Sequence, residues 1–188
     1  MKAGYRPGTD FGIGIDAGSS QFYHQEKKQY VFKLDQAHFT TANMIGLYNE
    51  WFRKYPVILI EDGLAEDDWQ GWRELTRELG EHLLLVGDDL FVTNVKRLRQ
   101  GLKEQAANAV LIKLNQVGTL SETIDCIKLA QKHKYKIMIS HRSGETMDDF
   151  IADLAVAVGA EYIKSGSLSR GERLAKYNRL MEIEMNLK

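Results

Sequence analysis

Short apolar runs recur along the chain, each closing on a charged residue and followed by a stretch with helical spacing. They occupy residues 11–15, 57–60, 83–86, 109–112, 136–139 and 161–163. Runs of this length without polar alternation suit strands covered on both faces, as in parallel sheets. The stretches between them carry helix signals. Asp67 and Asp68 precede Trp69, Trp72, Leu75 and Leu79, with Gly80 as a stop. Asn94 is placed to cap a helix through Leu98, Leu102 and Ala106, and Ser121 to begin one through Ile124, Ile127 and Leu129. Phe150, Ile151, Leu154 and Val158 continue the series, and Leu174, Tyr177, Leu180, Met181 and Ile183 end it. Only the segment after the first run differs. Phe22-Tyr23 and Tyr30-Val31-Phe32 flank a polar turn at 24–29, which predicts an inserted hairpin, and a helix over about 41–54 restores the rhythm.

Repeated β-α alternation predicts the α/β class, a parallel sheet with right-handed crossovers. An open doubly wound sheet and a closed (β/α)8 barrel both fit, although six units fall short of the barrel's eight. No linker or low-complexity stretch interrupts residues 1–188, so a single domain is expected, long enough to bury a core without disulfides or metal staples.

Charge and cysteine usage narrow the function. Twenty-five Lys and Arg face 26 Asp and Glu, a net charge of −1. That balance gives no electrostatic case for binding nucleic acid or an anionic membrane. Cys126 is the only cysteine, which excludes an intrachain disulfide and argues against a cysteine zinc site. No apolar run approaches the roughly 20 residues of a membrane span, and residues 1–7 hold no signal-peptide core, so a cytoplasmic location is expected.

The residues that close the six runs are Asp16, Glu61-Asp62, Asp88-Asp89, Lys113, His141-Arg142 and Lys164. In parallel α/β folds the C-terminal strand ends converge on the face that carries the active site. Charges also mark where buried strands reach solvent, but six in succession, acids before bases, favour a site. Asp16, Glu61 and Asp88 supply oxygen ligands suited to Mg²⁺ rather than zinc, with Asp62 and Asp89 left ambiguous beside them. Lys113 and Lys164 are candidate bases, because a lysine near other cations in a partly dry pocket sheds its proton more readily. His141-Arg142-Ser143-Gly144 offers a guanidinium, a hydroxyl and backbone amides to a phosphate or carboxylate. A divalent metal beside a lysine base suits removal of the weakly acidic proton alpha to a carboxylate.

Several longer motifs resemble enolase, the phosphopyruvate hydratase of glycolysis. They are Ser-His-Arg-Ser-Gly-Glu-Thr at 140–146, Val-Gly-Asp-Asp-Leu-Phe-Val-Thr-Asn at 86–94, Leu-Ile-Lys-Leu-Asn-Gln-Val-Gly at 111–118 and Glu-Arg-Leu-Ala-Lys-Tyr-Asn at 172–178. Ile-Glu-Asp-Gly-Leu at 60–64 and Asp-Asp-Trp at 67–69 fit as well. The resemblance runs from about residue 3 to 188. It implies a lyase with a partial (β/α)8 barrel of about six units that takes part in the reversible, Mg²⁺-dependent dehydration of 2-phosphoglycerate to phosphoenolpyruvate. By position it assigns Asp16, Glu61 and Asp88 to the metal and Lys113 to the C2 proton. It assigns Arg142 and Ser143 to the phosphate, and His141 and Lys164 to the remaining substrate contacts, with Lys164 on the carboxylate side.

The sequence also departs from the family. Gly and Gln stand within residues 17–23 where the family usually has Ala and Glu. The family's N-terminal α+β domain and first two barrel strands have no counterpart ahead of Met1. Those parts would supply the glutamate that assists the leaving C3 hydroxyl and the loops that close over substrate. The expectation is therefore full activity only with a complementing N-terminal segment, and self-association of the chain alone. The alternative is a non-catalytic enolase-derived module that binds metal, an anion or a protein.

Overall fold

A computed structural model of the chain describes residues 3–187, which fall into two compact units. The first holds residues 3–91 and 96–109, and the second 92–95 and 110–187.

The first unit opens with β1 (Ile13–Asp16), a single 3-10 turn (Ser19–Phe22), and the short strands β2 (Tyr23–His24), β3 (Gln29–Phe32) and β4 (Ala37–Phe39). Next come α1 (Thr41–Lys54), β5 (Val57–Glu61), α2 (Trp69–Leu79), β6 (Leu84–Gly87) and α3 (Val95–Glu104). The parallel strands are ordered β1-β5-β6, with Asp16 beside Glu61 and Glu61 beside Val86. The expected hairpin at 22–32 is present as β2 and β3, but β4 adds a third antiparallel strand. That strand has only three residues, and its preceding turn places Gln36 rather than a glycine in the left-handed region, φ 50°. The usual turn signal is therefore missing from the sequence.

Local chemistry fixes the helix starts. Thr40 and Asn43 form a reciprocal capping box at α1. The Asp68 carboxylate accepts the Gly71 amide at α2, which stops at Gly80 as expected. The helix then buries Trp72, Leu75 and Leu79. Phe91 is fully buried against α3, packed where Gly101 has no side chain. The small antiparallel sheet is tied to the loop after β5. Tyr48 Oη and Ser19 Oγ both donate to the Gly63 carbonyl, at 2.8 and 2.9 Å, and the Ala65 amide donates to Tyr30 Oη at 2.9 Å. These bonds satisfy polar groups that sit deep in the core.

The second unit runs β7 (Ala109–Ile112), α4 (Leu114–Val117), α5 (Leu120–Lys132), β8 (Lys136–Ser140), α6 (Phe150–Ala157), β9 (Tyr162–Lys164) and α7 (Gly171–Leu187). Its strands are ordered β7-β8-β9, with Ser140 beside Lys164 in the parallel β8–β9 pair. Helix α5 starts earlier than the Ser121 expectation. The Thr119 hydroxyl accepts the Glu122 amide and donates to the Glu122 carboxylate, so Thr119 is the cap. The buried residues include Leu111, Ile112, Ile127, Ile137, Ile139 and Cys126, whose thiol is driven up to about 12 by burial. Among the described residues, no helix is long and apolar enough to cross a membrane.

Candidate active site

Strand ends position the acids of the first unit. Asp16 closes β1 and Glu61 closes β5, as register partners on neighbouring strands. Asp88 follows β6. Glu61 and Asp88 are buried, while Asp16 is exposed. Asp62 lies one residue beyond β5 in a left-handed conformation, φ 45°, which turns its carboxylate toward the β6 end. Its two oxygens accept the amides of Asp88 and Asp89 at 2.9 and 2.8 Å. Burial pushes the Asp62 carboxyl up to about 7; the two amides oppose that rise, and the Asp88 and Asp89 charges add to it.

Asp62, Asp88 and Asp89 form a cluster that could hold a metal ion, each offering an oxygen within 4.8 Å of the others. The donor set is all carboxylate, which fits a hard cation such as Mg²⁺. Within that cluster Asp62 already spends both oxygens on backbone amides. It clamps the Asp88-Asp89 turn. Sequence reasoning had no signal for it, because adjacent acids look alike until the backbone turn is known.

The second unit carries the basic groups. Lys113 follows β7 at the start of α4, and its amide donates to Thr93 Oγ1 at 2.9 Å. Thr93 is fully buried, and its hydroxyl donates a hydrogen bond to Gln116 Oε1 at 3.0 Å. Val92 and Thr93 both lie in the left-handed region, so the loop after β6 is built to present that hydroxyl. His141 follows β8, and its amide donates to the Lys164 carbonyl at 2.8 Å, which joins the ends of β8 and β9. The charges of Lys164, Lys113 and Arg173 all act on the His141 ring.

The 141–146 loop is held by the first turns of α7. Arg173 reaches the His141 ring and the carbonyls of Arg142 and Ser143, while Lys176 Nζ reaches Glu145 Oε2 and the carbonyls of Thr146 and Glu172. Glu145 Oε1 accepts the Arg142 amide at 2.9 Å. Burial works against the Glu145 charge, but Lys176 and the Arg142 amide outweigh it and hold the carboxyl below its usual range. Sequence reasoning assigned no role to Arg173 or Lys176. Their available signal was the i, i+3 spacing that sets both on one helix face.

The family model described as "Enolase, C-terminal TIM barrel domain" matches residues 1–188. The chain belongs to this enolase family. Its six parallel strands and their helices thus have the α/β architecture of a partial TIM barrel, the fold class expected from the sequence. Membership also supports an enolase-like relationship.

Proposed function

We propose that the chain supplies the metal-ligating, proton-abstracting and anion-binding residues for the dehydration of 2-phosphoglycerate to phosphoenolpyruvate. The observation that carries this reading is the placement of Lys113, His141 and Lys164 at successive strand ends of an enolase-family chain. Asp16, Glu61 and Asp88 would hold Mg²⁺, which when bound supplies the positive charge that makes the C2 proton of a carboxylate substrate removable.

The chain's own residues do the rest. Lys113, in its neutral form, takes the C2 proton onto Nζ. Arg142 and Ser143 bind the phosphate, and Lys164 and His141 orient the carboxylate end. Departure of the C3 hydroxide needs a proton donor, which a complementing N-terminal enolase segment would supply. The expected setting is glycolysis in the cytoplasm.

The test mixes the purified chain with an N-terminal enolase segment and follows phosphoenolpyruvate by ultraviolet absorbance. Turnover in the mixture, lost in Lys113→Ala, is expected. A mixture that binds together but never converts substrate would overturn the assignment and favour a non-catalytic module.

A further inference from the structure

Arg173 occupies an unusual position for a helix side chain. One guanidinium nitrogen lies on His141 Nδ1 and donates to the Arg142 carbonyl at 2.9 Å, and the other donates to the Ser143 carbonyl at 3.0 Å. Three consecutive residues of the anion-binding loop are thus held by one planar group. The stem passes against Gly166, where a Cβ would lie 2.9 Å from Arg173 Cδ and 3.1 Å from Cγ. Gly166 has φ +80°, so both its backbone and its missing side chain make the channel through which Arg173 reaches the loop. Tyr177 pins the same glycine by donating to its carbonyl.

Guanidinium can only donate hydrogen bonds and keeps its charge at any working pH. The nitrogen it meets must therefore carry a lone pair. We propose that Arg173 is a positioning residue that fixes His141 as the neutral tautomer with its proton on Nε2. His141 then serves the substrate as a hydrogen-bond donor and not as a base. This rests on the proposed role of residues 141–143 in binding the anionic substrate, and adds which nitrogen faces it with a proton.

The surrounding charges agree. Burial lowers the readiness of His141 to protonate. Arg173 from α7, Lys164 from the end of β9 and Lys113 from the end of β7 lower it further, and only Glu145 of its own loop acts the other way. A neutral ring in that setting avoids adding a fourth positive charge to the group.

The test reads the tautomer directly, by long-range ¹H–¹⁵N NMR of the ring nitrogens in the chain of residues 1–188. The His141 signals are assigned by their loss in His141→Gln. The expected result is an unprotonated Nδ1 and a protonated Nε2 at neutral pH. Arg173→Met, which cannot donate, should give a mixture of tautomers and raise the pH at which the ring titrates. Arg173→Lys, which keeps the charge and a donor, should restore at least part of the bias. Gly166→Ala should reproduce the Arg173→Met signals, because its methyl crowds the Arg173 stem and Nε while the residue keeps its charge.

A wild-type ring protonated on Nδ1 overturns the proposal even if every variant fails to fold, as do ring signals unchanged in Arg173→Met. The complemented enzyme provides the second readout. There, Arg173→Met should lower turnover at least tenfold and move the acid limb of the pH profile upward. An inactive wild-type mixture with the expected ring signals would count against the enolase reading and leave the tautomer assignment standing.

Discussion

Lys176, with 1% of its side chain exposed, donates to Glu145 Oε2 at 2.8 Å, so a buried cation on α7 is neutralised by a carboxylate in the loop after β8. Two carbonyls complete the ammonium's donors. Such a pair gives little net stability over an apolar substitute, but removing one partner strands the other. Lys176→Met is therefore expected to cost roughly 3–5 kcal/mol, and the double variant with Glu145→Gln less than the sum of the two single losses. Urea unfolding of the four proteins measures it, and additive losses would show that the pair is not coupled.

The same loop sets the response to acid. His141 protonates less readily than its ordinary 6.5, first through burial and then through Arg173 and Lys164. The unfolded chain binds that proton more readily, so this contribution is complete above about pH 6.5 and is lost as pH falls through the folded value. Glu145, held below its ordinary 4.5, contributes above that value and loses its contribution at lower pH. Asp62, pushed up to about 7, acts in the opposite sense because the folded chain takes up its proton first, so the loop's share is read in an Asp62→Asn background. Urea midpoints there, taken from about pH 8 to about pH 2, should be flat at first and then fall. The lower limb should be shallower in Glu145→Gln. It should not vanish, because Arg179 and Arg6 hold Asp153 and Asp10 down in the same way.

Mg²⁺ binding distinguishes ligands from the clamp. Asp88→Asn should weaken binding by at least about tenfold, because a hard cation is held chiefly by carboxylate charge. Asp62→Asn should act through stability instead. An amide side chain cannot accept both the Asp88 and Asp89 amides, which leaves a buried donor unmet at a cost of about 1–3 kcal/mol. Calorimetric titration and thermal unfolding of both variants separate the effects, and wild-type affinity in Asp88→Asn would remove it from the ligand set.

Gly101→Ala tests the packing of α3. The added methyl would lie 2.4 Å from the buried Phe91 ring, so the ring or the helix must shift. Overpacking of this kind costs about 1–3 kcal/mol, and in a chain of this size each kcal/mol lowers Tm by roughly 2–4 °C. An unchanged Tm would mean that the ring moves freely.

Self-association should follow from the strands at the ends of the two strand orders. Beside β1, Phe11 is 63% exposed, Ile13 within it is 43% exposed, and on β9 Tyr162 is 41% exposed. Edges that combine open backbone groups with apolar side chains recruit other chains. Light scattering is expected to give a mass above that of one chain, and a monodisperse single chain without dye-binding apolar surface would contradict it.

The strand-end residues were legible because buried parallel strands read as apolar runs, and a run's last residue is where the backbone meets solvent. Asp16, Glu61, Lys113 and Lys164 lie at or next to strand ends for that reason. Asp62 was ambiguous because a side chain's direction after a strand depends on the backbone turn, here a left-handed φ of 45°, which the adjacent acids do not announce. Thr93, Arg173 and Lys176 act on backbone groups 20 to 31 residues away in the chain. Periodicity records only near neighbours, so α7 was legible as a helix from Leu174, Tyr177, Leu180, Met181 and Ile183 but its long-range contacts were not. The Thr119 cap was displaced to Ser121 because several hydroxyl-bearing residues adjoin that helix start and each resembles a cap.

The buried Cys126 gives the protein an internal clock. A thiol driven up to about 12 on the buried face of α5 is almost never a thiolate at neutral pH, and reagents cannot reach it in the closed state. Alkylation therefore proceeds only during moments when the second unit opens, so the rate at which a single mass increment appears counts those openings. With one sulfhydryl in the chain, the count needs no engineered label, and substrate or a complementing segment that grips the second unit would slow it about tenfold for each roughly 1.4 kcal/mol of stability gained.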